Sequence, residues 1–239
     1  MSNADACGIL AIWNDCEPAM RADYERWYMR QHLPERIGVP GFRYGRRYEA
    51  VEAQREFFTF YEVDDPAVLT SVAYLERLDN PTEWTERIMP HFKNAVRTVC
   101  RRVAAVGIHM GGHVVTARFS APPEAAIGGV VVQLSDGLLP RLAEDTDVCA
   151  AQIWAAEAAQ TRENTRETAL RGPDAQVDAA LIVEFARAAP ARLAFTDGAI
   201  AGALMAAGAA PAPQFDLYQF LCMHPPFAAN FGNSGRQND

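Results

Sequence analysis

The chain of 239 residues lacks several features that would place it at once. It has no excess of positive charge, since 22 Lys and Arg face 30 Asp and Glu, for a formal net charge of −8 and a pI of about 5.2. A field of that sign repels phosphate and argues against nucleic acid as the main partner. There is no Cys-x-x-Cys spacing. Cys7, Cys16, Cys100, Cys149 and Cys222 are scattered and odd in number, which speaks against a zinc site or disulfide frame and for reduced thiols in the cytoplasm. The N-terminal stretch is neither basic nor continuously apolar, so no signal peptide is expected. The most apolar later run, LAFTDGAIAGALMAAGAA, contains Asp197 and is mostly alanine and glycine. It is too weak to span a bilayer and reads as a buried helix. Gly-rich phosphate loops, nucleophile elbows and metal-ligand motifs are also missing. What is present, at 49% hydrophobic and 22% charged residues, is the composition of a globular protein with a sizeable core.

Along the chain, GILAIWND reads as a strand, and Pro18 opens a helix whose face carries Met20, Tyr24, Tyr28 and His32. Pro34 is expected to bend or end that helix near Leu33, and Pro40-Gly41 marks a turn. FRYGRRYEA and EFFTFYEV follow as strands, then helix over 66–102, then a strand segment from Val103 to Phe119 with a bulge at Gly111-Gly112. This order is the split βαβ of a ferredoxin-like unit. It recurs after a linker at 121–126: strand IGGVVVQLSD, short helix GLLPRLAED, strand DVCAAQIWAAEA, a polar excursion over 160–178, strand AALIVEFA, a helix, and strand QFDLYQFLCM. The reading is therefore two tandem units, 1–120 and 127–225, with a flexible tail at 226–239.

The strands are apolar on both sides. Ile9, Ala11 and Trp13 share one face, and Leu10 and Ile12 the other; Phe57, Thr59 and Tyr61 oppose Phe58 and Phe60. A lone ferredoxin-like unit leaves one sheet face to water and should alternate with polar residues. The second face is best covered by the sheet of the other unit, either within this chain as a pseudo-dimeric monomer or in a homodimer.

The segment Tyr24–Tyr48 combines an aromatic helix, His-Leu-Pro-Glu, Pro-Gly-Phe and Arg-Arg-Tyr. It resembles the dimeric α+β-barrel proteins, and most closely EthD-like proteins. The resemblance implies an α+β fold in which two ferredoxin-like units form one barrel. It covers the layout of residues 7–118, with the second half as a diverged copy. The superfamily includes monooxygenases, isomerases, dehydratase- or cyclase-like enzymes, heme proteins and members without known activity, so fold does not choose among them.

His32 is the candidate catalytic residue, because an imidazole titrates near neutrality and can move a proton. A structural histidine bonded to backbone is the rival reading. Arginines nearby would hold it neutral. Trp13 and Asn14 at the end of the first strand, Tyr28 on the helix, and Arg46, Arg47 and Tyr48 on the next strand are candidates for binding substrate. Period two places Phe42, Tyr44, Arg46 and Tyr48 on one face. An arginine there serves either an ion pair with a glutamate or a ligand anion held by the guanidinium fork. His91 offers a weaker heme reading. Pockets are expected in the first half only, with the second filled by Ala, Val and Leu. These features suggest a cofactor-free enzyme performing proton transfer on a carbonyl-containing or aromatic metabolite, with no metal. The rival is a non-catalytic protein that binds such a small molecule.

Overall fold

The computed structural model of the chain describes residues 7–122, 126–160 and 164–225; the tail expected at 226–239 lies outside them. The architecture is α+β. Eight strands close into one antiparallel barrel in the order β1-β3-β2-β8-β5-β7-β6-β4. They are β1 (Gly8–Cys16), β2 (Phe42–Glu52), β3 (Phe57–Val63), β4 (Phe92–Gly107), β5 (His113–Phe119), β6 (Val148–Ala156), β7 (Ala179–Phe185) and β8 (Gln214–His224), and the α-helices among the described residues are α1 (Arg21–Trp27), α2 (Leu33–Ile37), α3 (Val72–Asp79), α4 (Glu83–Ile88), α5 (Ile127–Glu144), α6 (Arg166–Arg171), α7 (Ala188–Thr196) and α8 (Ala199–Ala206). Within the ring, β4-β1-β3-β2 and β8-β5-β7-β6 have the same internal order, that of a ferredoxin-like sheet. The two sheets do more than face each other. They join at both edges, where β2 pairs with β8 and β4 with β6. Closure leaves no unpaired strand edge.

The apolar faces explain the layers. Ile9, Ala11, Trp13, Phe58, Phe60, Tyr48, Trp154 and Tyr218 point inward and fill the barrel. Leu10, Ile12, Phe57 and Tyr61 point outward and are covered by helices packed on the first unit. The second unit's outer layer is built from side chains such as Val115, Leu134, Leu181 and Leu204.

One strand expectation fails. IGGVVVQLSD is not a strand but the start of α5 (Ile127–Glu144), an 18-residue helix. Its valines suggested a strand, yet its buried residues are Val130, Val131, Leu134, Leu138 and Leu139, a helical stripe. The strand that opens the second unit is instead β5, which the sequence reading had joined to β4. The two units therefore meet at residues 108–112 and not at 121–126. The late apolar run forms α7 (Ala188–Thr196) and α8 (Ala199–Ala206), divided at Gly198, whose φ of 75° suits glycine. Among the described residues no helix is long and apolar enough to cross a membrane.

Candidate functional site

The first helical run does not stop at Pro34. It passes from α1 (Arg21–Trp27) through a π-helical turn (Tyr28–His32) into α2 (Leu33–Ile37). In the wide turn the Leu33 N–H donates to the Tyr28 carbonyl, five residues back. Proline has no N–H and crowds the carbonyl four residues before it; a widened turn relieves that crowding. His32 is thus inside a continuous helix, not at its C-terminal end. The widened turn also stacks the His32 ring on Trp27, with centroids 4.1 Å apart and planes at 29°, while Tyr28 meets it edge-on at 5.1 Å. Beneath, Gly45 of β2 allows the helix to approach, because a Cβ there would lie 2.7 Å from Leu33 Cδ1 and 2.8 Å from Tyr61 Cδ1.

His32 is 5% exposed, and among the described residues its Nδ1 has no hydrogen-bond partner. Burial holds its pKa well below the ordinary imidazole value, and Arg36, Arg171 and Arg47 lower it further. The histidine is therefore neutral. Burial likewise pushes the Tyr28 and Tyr61 phenols up, so they stay protonated. These two hydroxyls and that of Thr59 face one another without a well-formed hydrogen bond.

The candidate residues fall on opposite sides of the sheet. Asn14, Tyr28, His32 and Arg47 lie on the helix side. Asn14 Nδ2 donates to the Tyr24 hydroxyl at 3.1 Å. Arg47 is fully buried, donates to Glu25 at 2.9 Å and lies 3.9 Å above the Tyr28 ring. Trp13, Arg46 and Tyr48 point into the barrel. Trp13 donates to Thr116 at 3.3 Å and stacks on Phe58, as Tyr48 does. Arg46 grips Glu184 with two bonds from one nitrogen, at 2.9 and 3.0 Å. One pocket cannot use both sets. Strict alternation also breaks at a bulge between Phe42 and Tyr44. Phe42 therefore packs on the helix side, whereas Tyr44 and Tyr48 pack inside.

Residues that the sequence reading did not single out complete the His32 side. The polar excursion crosses from the second unit to the first. Its helix α6 (Arg166–Arg171) carries Glu167, which pairs in a buried contact with Arg36. Arg171 is held by Asp174, with Nε 2.8 Å from its carboxylate. Tyr61, Tyr74, Met89 and Arg97 line the remaining walls. The space left between these groups is only about 30 Å³, the share of one water molecule in the liquid. Beside it opens a groove of about 750 Å³ lined by Thr165, Thr168, Ala169, Gly172 and Pro173, and its wall shares Arg97 and Asp174 with the cavity. Most of that groove comes from residues 164–176, so the expectation that pockets belong to the first half alone is wrong. The excursion's charges were legible in sequence; its docking on the other unit was not.

His91 does not line the cavity, and its Nδ1 is engaged by Glu17. This placement lends the heme reading no support. Among the described residues no cluster of three His, Cys, Asp or Glu side chains could hold a metal ion.

The fold recurs in solved structures. An anthrone oxidase-like protein aligns with 93% of this chain and 94% of its own, at 12% identity and a TM-score of 0.67. A proposed monooxygenase of Fusobacterium nucleatum aligns over 92% and 95%, at 9% identity and a TM-score of 0.58. One from Lactobacillus acidophilus aligns over 92% and 96%, at 5% identity and a TM-score of 0.55. At such identities the likeness is one of fold. No protein-family model and no curated protein sequence matches the chain. The closed ring of two ferredoxin-like units makes this a dimeric α+β-barrel fold contained in one chain.

Proposed function

We propose that the chain is a small-molecule enzyme that moves a proton on a carbonyl-containing aromatic compound, with His32 as the base. The observation that carries this reading is a neutral, buried imidazole whose Nδ1 lacks a partner among the described residues, set among guanidinium groups. The chemistry follows from that arrangement. His32 Nδ1 takes a proton from a carbon activated by a carbonyl, next to it or, as at the anthrone methylene, through the intervening aromatic rings. The C–H electron pair moves toward the carbonyl oxygen, and the resulting enolate is stabilised by the Arg36 guanidinium, whose Nη1 has no hydrogen-bond partner among the described residues. Burial first, and the neighbouring arginines second, make His32 a weak base. An enolate forming beside it raises its proton affinity, so charge development and proton transfer assist each other. This reading asks for no cofactor, because both base and counter-charge come from the chain. The presence of an anthrone oxidase-like protein among the structural neighbours agrees with an aromatic ketone as substrate class. Kinship with EthD-like proteins and descent of the two units by duplication belong to the same reading. So does a cytoplasmic monomer: all five cysteines are free thiols, and the barrel needs no strand from a second copy.

Proton exchange tests the proposal. Anthrone is incubated with the protein in deuterated buffer without oxygen, and loss of its methylene proton signal is followed by NMR. The wild type should accelerate exchange and His32→Gln should not. Equal acceleration by both rules out His32 as the base.

A second reading has its own observation. The cavity at His32 holds about one water molecule, which suits a binding protein whose ligand stays in the groove. Saturable quenching of tryptophan fluorescence by anthrone without any exchange would favour it.

A further inference from the structure

The groove beside the His32 cavity contains a charge that no carboxylate among the described residues neutralises. Among the described residues four arginines are buried: Arg36, Arg47, Arg97 and Arg118. Arg36 holds Glu167, Arg47 holds Glu25 and Arg118 holds Asp216. Arg97 is 8% exposed, yet among the described residues it has no carboxylate partner. Its guanidinium donates instead to the Tyr74 hydroxyl, at 3.1 Å. A guanidinium held largely out of water without a counter-charge is costly, and Arg97 lines the groove, where an anion can meet it.

The backbone fixes where this charge lies. Arg97 pairs with Ile12 in the β4–β1 ladder, which turns it to the helix side. The segment leaving α6 lies against β4, where the Arg97 N–H donates to Ala175 O and the Ala175 N–H to Ala95 O, both at 2.9 Å. These bonds hold the groove wall across the guanidinium. Arg97 then stands in the wall common to the 750 Å³ groove and the His32 cavity.

We propose that this groove is an anion-recognition site, in which Arg97 receives the carboxylate of a small organic acid. The class of anion follows from the neighbours. A carboxylate matches the planar fork of one guanidinium and carries a single charge. A phosphate dianion would need further cations, but Arg171 is already held by Asp174 and Arg166 by Glu86. The Asp174 carboxylate in the same wall also disfavours a doubly charged ligand. Ala169, Gly172 and Pro173 leave room for an apolar body beside the acid. The inference deepens the proposed function by giving the aromatic substrate an acidic group, but binding at Arg97 does not require that His32 be a base.

The probe is 1-naphthoate, with its methyl ester and inorganic phosphate as controls, measured by calorimetry on the full chain. Wild type should bind naphthoate saturably and the ester far more weakly, and phosphate should not compete. Arg97→Gln should weaken naphthoate by roughly tenfold to a hundredfold, as expected for loss of a charge-assisted bond, and leave the ester unchanged. 1-Naphthoate carries no acidic C–H, so its binding does not depend on a base, and failure of the proton-transfer reading would leave this site standing. Where Arg97→Gln does not fold, wild-type crystals soaked in 4-bromobenzoate decide, because the bromine must then appear in the groove. Equal naphthoate affinity in wild type and a folded Arg97→Gln, absence of saturable naphthoate binding, or bromine only elsewhere overturns the proposal.

Discussion

The imidazole of His32 lies on the indole of Trp27, five residues earlier, with ring centroids 4.1 Å apart. In a regular helix residues five apart point in different directions; the π turn at Tyr28–His32 aligns them. Stacking and burial make His32 part of the packing as well as part of the site. We expect His32→Ala to lower stability by about 1–3 kcal/mol, between a surface change and a large core truncation. His32→Gln should cost less because it fills more of the volume. Urea denaturation of both variants checks the order.

Stability should also report the His32 charge. Its folded pKa is depressed, whereas the unfolded chain titrates at about 6.5. Below that value the unfolded state binds a proton that the folded state refuses. The group's contribution to stability is therefore fully present above about pH 6.5 and is lost as pH falls toward the folded pKa. Wild type should lose more stability than His32→Gln between about pH 6.5 and pH 5. Parallel curves for the two proteins would contradict a depressed pKa.

Glu167 closes the cavity from α6 through its buried pair with Arg36. Glu167→Gln leaves a buried guanidinium without its counter-charge and should cost about 3–5 kcal/mol. Hydrogen exchange should accelerate first at the amides of Arg166–Arg171, since α6 is short and held by side chains. If exchange instead rises evenly across the barrel strands, α6 is not a separately opening element.

Arg46 and Arg47 are adjacent in sequence but belong to different interiors. Arg46→Met leaves the Glu184 carboxylate inside the barrel without its counter-charge, held by the Gly111 N–H, and should lower stability by about 3–5 kcal/mol, with 1-naphthoate affinity per folded molecule unchanged. Arg47→Met removes a cation from the His32 side and should relax the depression of the histidine pKa, which NMR titration of the imidazole can read. Loss of naphthoate binding in Arg46→Met would place the ligand in the barrel.

Gly45 marks the closest approach of the helical run to β2. A methyl group there meets Leu33 and Tyr61 side chains at under 3 Å, so Gly45→Ala should destabilise by about 1–3 kcal/mol through overpacking. Thermal unfolding measures it.

Local pattern was enough to determine the two-faced strands, and hence a covered sheet on either side. Ile9, Ala11 and Trp13 do face inward, while Leu10 and Ile12 face the helices. Period two is a property of the chain itself and survives any packing partner. The same pattern placed Tyr24, Tyr28 and His32 on one helical side. It failed at Phe42, where a bulge shifts the phase, and at Val130–Val132, where β-branched residues form a helix. In both places a non-local demand overrides local preference: β5 had already supplied the strand, and the sheet needed an outer layer. The candidate site depended still more on tertiary structure. Trp13, Arg46 and Tyr48 are separated from His32 by the thickness of a sheet, which no spacing along the chain reports. Glu167, Arg171 and Asp174 come to the cavity from more than a hundred residues away, because the excursion of the second unit docks on the first. That no carboxylate among the described residues pairs with Arg97 is likewise a fact about which charges the fold brings near. Sequence names the charges, but only the closed barrel and its crossing segment decide which of them remain unpaired.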